Sequence, residues 1–148
     1  MATKFYGTGI AKCLDGSVDW DTSTSLKCAL LLSTYNTISN TQHSHTMRSD
    51  CSASEATGQT YQAIPATLAV SKVTADSMVY LDCGSSVQFT GVTASQAIGS
   101  LVVFQDRAGV AGTSELIAKL EFSGGTFTSN GQAITVNFNA SGVGSIAY

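Results

Sequence analysis

Charge is what this chain has least of. Asp, Glu, Lys and Arg make up 11% of its 148 residues, against roughly 25% in an average soluble protein. Ser, Thr, Gly, Asn and Gln stand in their place. Such a surface suits dry or water-bridged contacts between subunits, where paired charges would lose more hydration. Basic residues are scarcest in effect: seven Lys and Arg lie scattered along a chain of net charge −3. A phosphate backbone is bound by neutralising it with clustered Lys and Arg, so nucleic acid is excluded as a partner.

Long apolar runs are also missing. The longest, Cys28-Ala29-Leu30-Leu31-Leu32, falls far short of the roughly 20 residues that span a bilayer, so no membrane partner is expected. Met1-Ala2-Thr3-Lys4-Phe5 has no apolar core of a secretory signal, and synthesis in the cytosol is the expectation. No segment repeats apolar residues at i, i+3, i+4 and i+7 over three turns, so little helix is expected.

The residues that carry chemistry are few. Cys13, Cys28, Cys51 and Cys83 contain no C-x-x-C pair, which excludes zinc-ribbon and thioredoxin spacing; they read as small buried hydrophobes. His43 and His45 are the only imidazoles. They would share one side of an extended stretch, but only Asp50 or Cys51 lies near as a third ligand, so they read as solvated loop histidines. Asp15, Asp19 and Asp21 surround Trp20 without the spacing of a calcium loop. An exposed acidic face over a buried indole is the plainer reading. Gly7-Thr8-Gly9 matches no phosphate loop. Asn139-Ala140-Ser141 is a glycosylation sequon that matters only after secretion. No catalytic residue, metal site or cofactor follows, and the chain reads as a non-enzyme.

What is present is strand signal. Ser25–Ser33 has a continuous apolar centre that predicts burial on both faces. Thr67–Val73 and Ser77–Asp82, joined by Thr74-Ala75-Asp76, predict a hairpin. Val87–Thr90 alternates, Gly99–Gln105 reads as a buried strand, and Glu115–Phe122 reads as a strand despite its helical propensity, because Gly112 and Gly124-Gly125 flank it. Ala133–Asn139 places Ile134, Val136 and Phe138 on one face, and Gly142 and Gly144 precede a last strand ending at Tyr148. Seven to nine strands with Gly-rich turns predict an all-β chain: one antiparallel β-sandwich domain over 1–148, jelly-roll-like or related. Residues 36–65, mostly Ser, Thr, Asn and Gln, predict a long polar excursion over the surface. Residues 1–12 form a candidate N-terminal arm.

Several of these blocks resemble a family of small virion structural proteins of tailed bacteriophages. Trp20 followed by Leu26-Lys27-Cys28-Ala29-Leu30-Leu31-Leu32-Ser33-Thr34-Tyr35 is similar to the family's Trp and Leu-Lys-x-Ala-Leu-Leu-x-Ser-x-Tyr, and His43 falls where the family tends to place a His. Glu55–Tyr61 resembles its acidic Gly-Thr-x-Tyr segment, and Thr67-Leu68-Ala69 its next strand. Leu101–Asp106 resembles a Val-Val-Tyr-x-Asp block, and Glu115–Gly125 a Pro-Leu-Ile-x-x-x-x-Phe-Gly stretch. Ile134–Phe138 with Gly142-Val143 closes the likeness. Glu115 and Ser123 depart from the usual Pro and Gly, and four cysteines exceed expectation.

The resemblance implies a head decoration or cement protein on the outer capsid surface. Its partners would be the major capsid protein and further copies of itself, as a homo-oligomer on a virion assembled in the host cytoplasm. A tail or head-tail accessory protein is the alternative. A carbohydrate-binding sandwich stacking sugars on Trp20 or Tyr35 is a more distant one. Phe5, Tyr6 and Ile10, spaced by Gly7 and Gly9, are the candidate interface residues of the arm.

Overall fold

The computed structural model describes residues 2–18, 26–36, 44–63, 70–73, 78–81, 86–138 and 144–147. Asp19, Trp20, Asp21, His43 and Cys83, all singled out by the sequence, lie outside the described residues. In chain order the elements are β1 (Ala2–Phe5), α1 (Gly7–Leu14), β2 (Leu26–Leu32), β3 (Gln62–Ala63), β4 (Val70–Val73), β5 (Met78–Leu81), β6 (Ser86–Phe89), β7 (Ala97–Gln105), β8 (Leu116–Glu121), β9 (Phe127–Thr128), β10 (Ile134–Asn137) and β11 (Gly144–Ala147). The chain is mostly β with one short helix, and every strand pairing described is antiparallel.

The strands form three open sheets. The largest runs β1-β8-β7-β2-β3, with β9 added against β7; β6 pairs with β10, and β5 sits between β4 and β11. The hairpin expected between residues 67–73 and 77–82 is present as β4–β5, with Val73 opposite Met78.

The central strands β2, β7 and β8 are buried on both faces, as a run without polar alternation requires. Leu30, Leu101 and Leu120 point into one core with Val87 and Phe89 of β6 and Val136 of β10. Ala29, Leu31, Val102, Phe104 and Leu116 point into a second core, shared with Tyr6, Tyr35 and Cys51. Each fully buried Leu or Phe contributes about 1.5–3 kcal/mol.

Two bulges shape this sheet. Val103 pairs with Ala118 and Phe104 with Leu116, so Ile117 is the extra residue, and its side chain joins the first core. Leu31 pairs with Ser100 and Leu32 with Ile98, which leaves Gly99 over. A Cβ on Gly99 would sit 2.8 Å from Ser33 Cα, so only glycine lets the chain after β2 pass this close.

The polar stretch supplies the second core's cover. Its described part holds short 3-10 turns at Arg48–Asp50 and Ser52–Ser54. Single bridges tie Met47 to Glu115 and Glu55 to Leu31, and β3 pairs with the edge of β2. Apolar Cys51 and Tyr61 are what this Ser- and Thr-rich segment brings to the sheet.

Candidate functional site

Residues 2–12 fold onto the main sheet. β1 pairs with β8 from Ala2 opposite Glu121 to Phe5 opposite Ala118, and the Tyr6 N–H bonds to Ile117 O. α1 then packs against β8 so closely that a Cβ on Gly9 would lie 2.1 Å from Leu116 O. Of the three candidate interface residues, Tyr6 is fully buried in the second core. Phe5 packs, half-buried, against the first core, and Ile10 is half-buried on α1. The structure therefore separates them: Tyr6 serves the interior, while Phe5 and Ile10 keep part of their surface. Exposed Leu14, at 77%, ends the same helix.

Polar groups gather on the second face. The Tyr6 and Tyr35 hydroxyls are 3.1 Å apart, and the Tyr35 hydroxyl lies 2.8 Å from His45 Nδ1. Burial raises the Tyr6 phenol, and the bond to Tyr35 adds to it. Burial pushes the Tyr35 phenol up to about 12 against the opposing bond from Tyr6. Beside them, burial pushes the Cys51 thiol up to about 12. Burial also acts to raise the Asp50 carboxyl, but the backbone N–H donors of Met47 and Thr46, with His45 nearby, outweigh it and hold Asp50 below the usual carboxylate value. His45 is thus a half-buried, bonded side chain, where the sequence suggested a solvated loop imidazole. Tyr35, at 7% exposure, presents no open ring face on which a sugar can stack.

A second group lies farther along the same face. The Arg48 guanidinium sits 4.5 Å from the centre of the Tyr61 ring and 5.2 Å from that of Phe104. Those two rings meet edge to face at 5.6 Å. Arg48 donates to Gly109 O and faces Glu55 Oε1 at 3.9 Å, while the Tyr61 hydroxyl donates to Glu55 Oε2 at 2.5 Å. Lys119, fully buried on β8, donates to Tyr35 O and Glu121 Oε1, both at 3.4 Å. At the end of the sheet Lys27 donates to Asp106 Oδ2 at 2.6 Å, which lowers the Asp106 carboxyl. Arg107 pairs with Glu115 at 3.2 Å and reaches Ser17 O.

Most of these residues escaped the sequence reading, which took 36–65 as surface. The available signals were charges set inside apolar strands: Lys119 between Ala118 and Leu120, and Lys27 between Leu26 and Cys28. A lone charge in a doubly buried run needs a partner.

The arrangement is a set of side-chain pairs, in which Arg48 Nε and Nη1 and Glu55 Oε1 are buried without a hydrogen bond among the described residues. Among the described residues no Ser or Cys nucleophile meets a base within it, and the buried thiols Cys28 and Cys51 donate to backbone carbonyls. Cys13 and Cys51 are free thiols. Among the described residues no three His, Cys, Asp or Glu side chains cluster to hold a metal ion, and no helix is long and apolar enough to cross a membrane. An apolar cleft of about 280 Å³ lies between the Phe122–Phe127 turn and β10, lined by both rings and by Ile134 to Asn137. No known protein-family model matches the chain, no curated protein matches its sequence, and no solved structure matches its fold.

Proposed function

We propose that this chain is a bacteriophage virion structural protein, a decoration or cement subunit that binds the outer capsid surface and stabilises the shell. The observation that carries the reading is where the residues of the resemblance meet. Lys27 of the Leu-Lys-x-Ala-Leu-Leu block and Asp106 of the Val-Val-Tyr-x-Asp block form the 2.6 Å ion pair. Phe104, at the Tyr position of that second block, meets Tyr61 of the Gly-Thr-x-Tyr segment edge to face. Blocks far apart in sequence interlock as parts of one pattern would. The finer architecture belongs to the same proposal: an antiparallel β-sandwich, jelly-roll-like or related, a reading supported by the packing of Val87, Phe89 and Val136 of β6 and β10 into the first core of the main sheet.

The physical demands of cementing fit this chain. A subunit that stiffens a shell adds buried area across seams, typically more than about 1,000 Å² per contact. Repetition over the shell lets each contact stay modest. It needs a rigid body and a surface poor in charge, because charges at the contact centre must be stripped of water. Polar residues that carry no charge and a doubly buried sheet meet both needs. The partners are the major capsid protein and further copies of this chain, and no catalytic step is assigned.

The test is the copy number of the chain in purified particles, by mass spectrometry calibrated against the major capsid protein. The expected result is on the order of hundreds of copies, in simple ratio to the capsid subunit. Roughly six or twelve copies would place it at the tail or neck, and its absence from particles would overturn the virion reading.

A further inference from the structure

Tyr6, fully buried after β1, has one polar partner for its hydroxyl among the described residues, the Tyr35 hydroxyl. Tyr35, just after β2, reaches His45 Nδ1. Each hydroxyl has a single proton to give, and a buried donor left without an acceptor is destabilising. The protons are therefore ordered: Tyr6 donates to Tyr35, and Tyr35 donates to His45. That order requires a bare Nδ1, so the neutral imidazole carries its proton on Nε2.

A proton added at Nδ1 reverses the last bond. Tyr35 then accepts from the imidazole, and either its own proton or that of Tyr6 loses its acceptor inside the second core. The charges around the ring divide unequally. From β8, buried Lys119 stands 5.6 Å from the centre of the Tyr35 ring and repels an imidazolium. From the turn that follows His45, the Asp50 carboxylate attracts one. Cys51, its thiol pushed up to about 12, is neutral at ordinary pH, as are the phenols of Tyr6 and Tyr35.

We propose that His45 is an acid-operated latch. Neutral, it ties residues 44–51 to the ends of β1 and β2 through the two tyrosines; protonated, it leaves Tyr35 and pairs with Asp50 on its own segment, which loosens that segment from the sheet.

The experiment compares amide hydrogen-exchange protection of residues 44–51 at pH 8 and pH 5, corrected for intrinsic rates, in the wild type and in His45→Asn. Asn offers an acceptor near the place of Nδ1 but takes no proton. Protection is expected to fall about tenfold from pH 8 to pH 5 in the wild type and to change less than about twofold in the variant. An equal response in both proteins, or none in the wild type, would overturn the latch. A second readout does not depend on the variant folding. Imidazole ¹⁵N spectra at pH 8, with His43→Gln used to separate the two rings, are expected to show the His45 proton on Nε2; a proton on Nδ1 would overturn the ordering.

Discussion

Gly9 shows how much depends on a missing methyl group. α1 lies on β8 with backbone against backbone, and a Cβ at this position would sit 2.1 Å from Leu116 O and 2.6 Å from Ile117 Cα. Neither atom belongs to a flexible side chain, so the helix must lift away from the strand. Gly9→Ala is therefore expected to destabilise the fold by about 1–3 kcal/mol, even though alanine favours helix over glycine. The measurement is the urea midpoint beside that of Gly7→Ala, where a Cβ meets nothing within 4 Å. Equal midpoints for the two variants would mean that α1 is not seated on β8.

The elements differ in how legible they were, and the reason is burial. β2, β7 and β8 were readable because a strand covered on both faces must be apolar at successive positions, as Leu30-Leu31 and Val102-Val103 are. α1 was not. It is eight residues long, contains two glycines and has no side-chain cap, so neither periodicity nor propensity marks it; its packing on β8 and the anchor of Tyr6 hold it. The sequence predicted burial for β2 but not what would cover its outer edge, because that edge is closed by side chains as much as by strand. β3 pairs only with Lys27 and Cys28. Beyond it, the Gln59 amide takes the place of a peptide group: its Oε1 accepts from Leu30 N at 2.6 Å and its Nε2 donates to Leu30 O at 2.9 Å. Gln96 treats Thr57 in the same way. Leu30 O keeps a second donor, Ala56 N, whereas Leu30 N has Gln59. Gln59→Ala is expected to lower stability by about 1–3 kcal/mol, read as a shift in urea midpoint. A loss below about 0.5 kcal/mol would mean that water reaches the Leu30 amide once the side chain is gone.

For the whole molecule, the shifted groups set the range of pH over which the fold holds. The Asp106 carboxyl is lowered chiefly by the bond from Lys27, and Asp50 is held down by Met47, Thr46 and His45 against its own burial. A group lowered by folding contributes stability that is complete above its unfolded value, near 3.8 for these carboxyls, and that disappears as pH falls through the folded value. The acid limb therefore begins near pH 4. Cys51 and Tyr35 work in the opposite direction. Burial raises Cys51 from 9.0 to about 12 and Tyr35 from 10.0 to about 12. The folded chain keeps protons there that the unfolded chain gives up, so stability is complete below about pH 9 and declines as pH climbs toward 12. Urea midpoints measured from pH 3 to pH 11 should show both limbs, with an alkaline loss on the order of 3–4 kcal/mol between pH 9 and pH 11. Cys51→Ala removes a titrating group from the alkaline limb only, and Asp106→Asn removes one from the acid limb only. Each variant is less stable between the limbs and flatter on its own side. An alkaline limb of unchanged steepness in Cys51→Ala would assign that limb to Cys13 and the tyrosines, which burial also raises, and an unchanged acid limb in Asp106→Asn would mean that the Lys27 pair is too hydrated to matter.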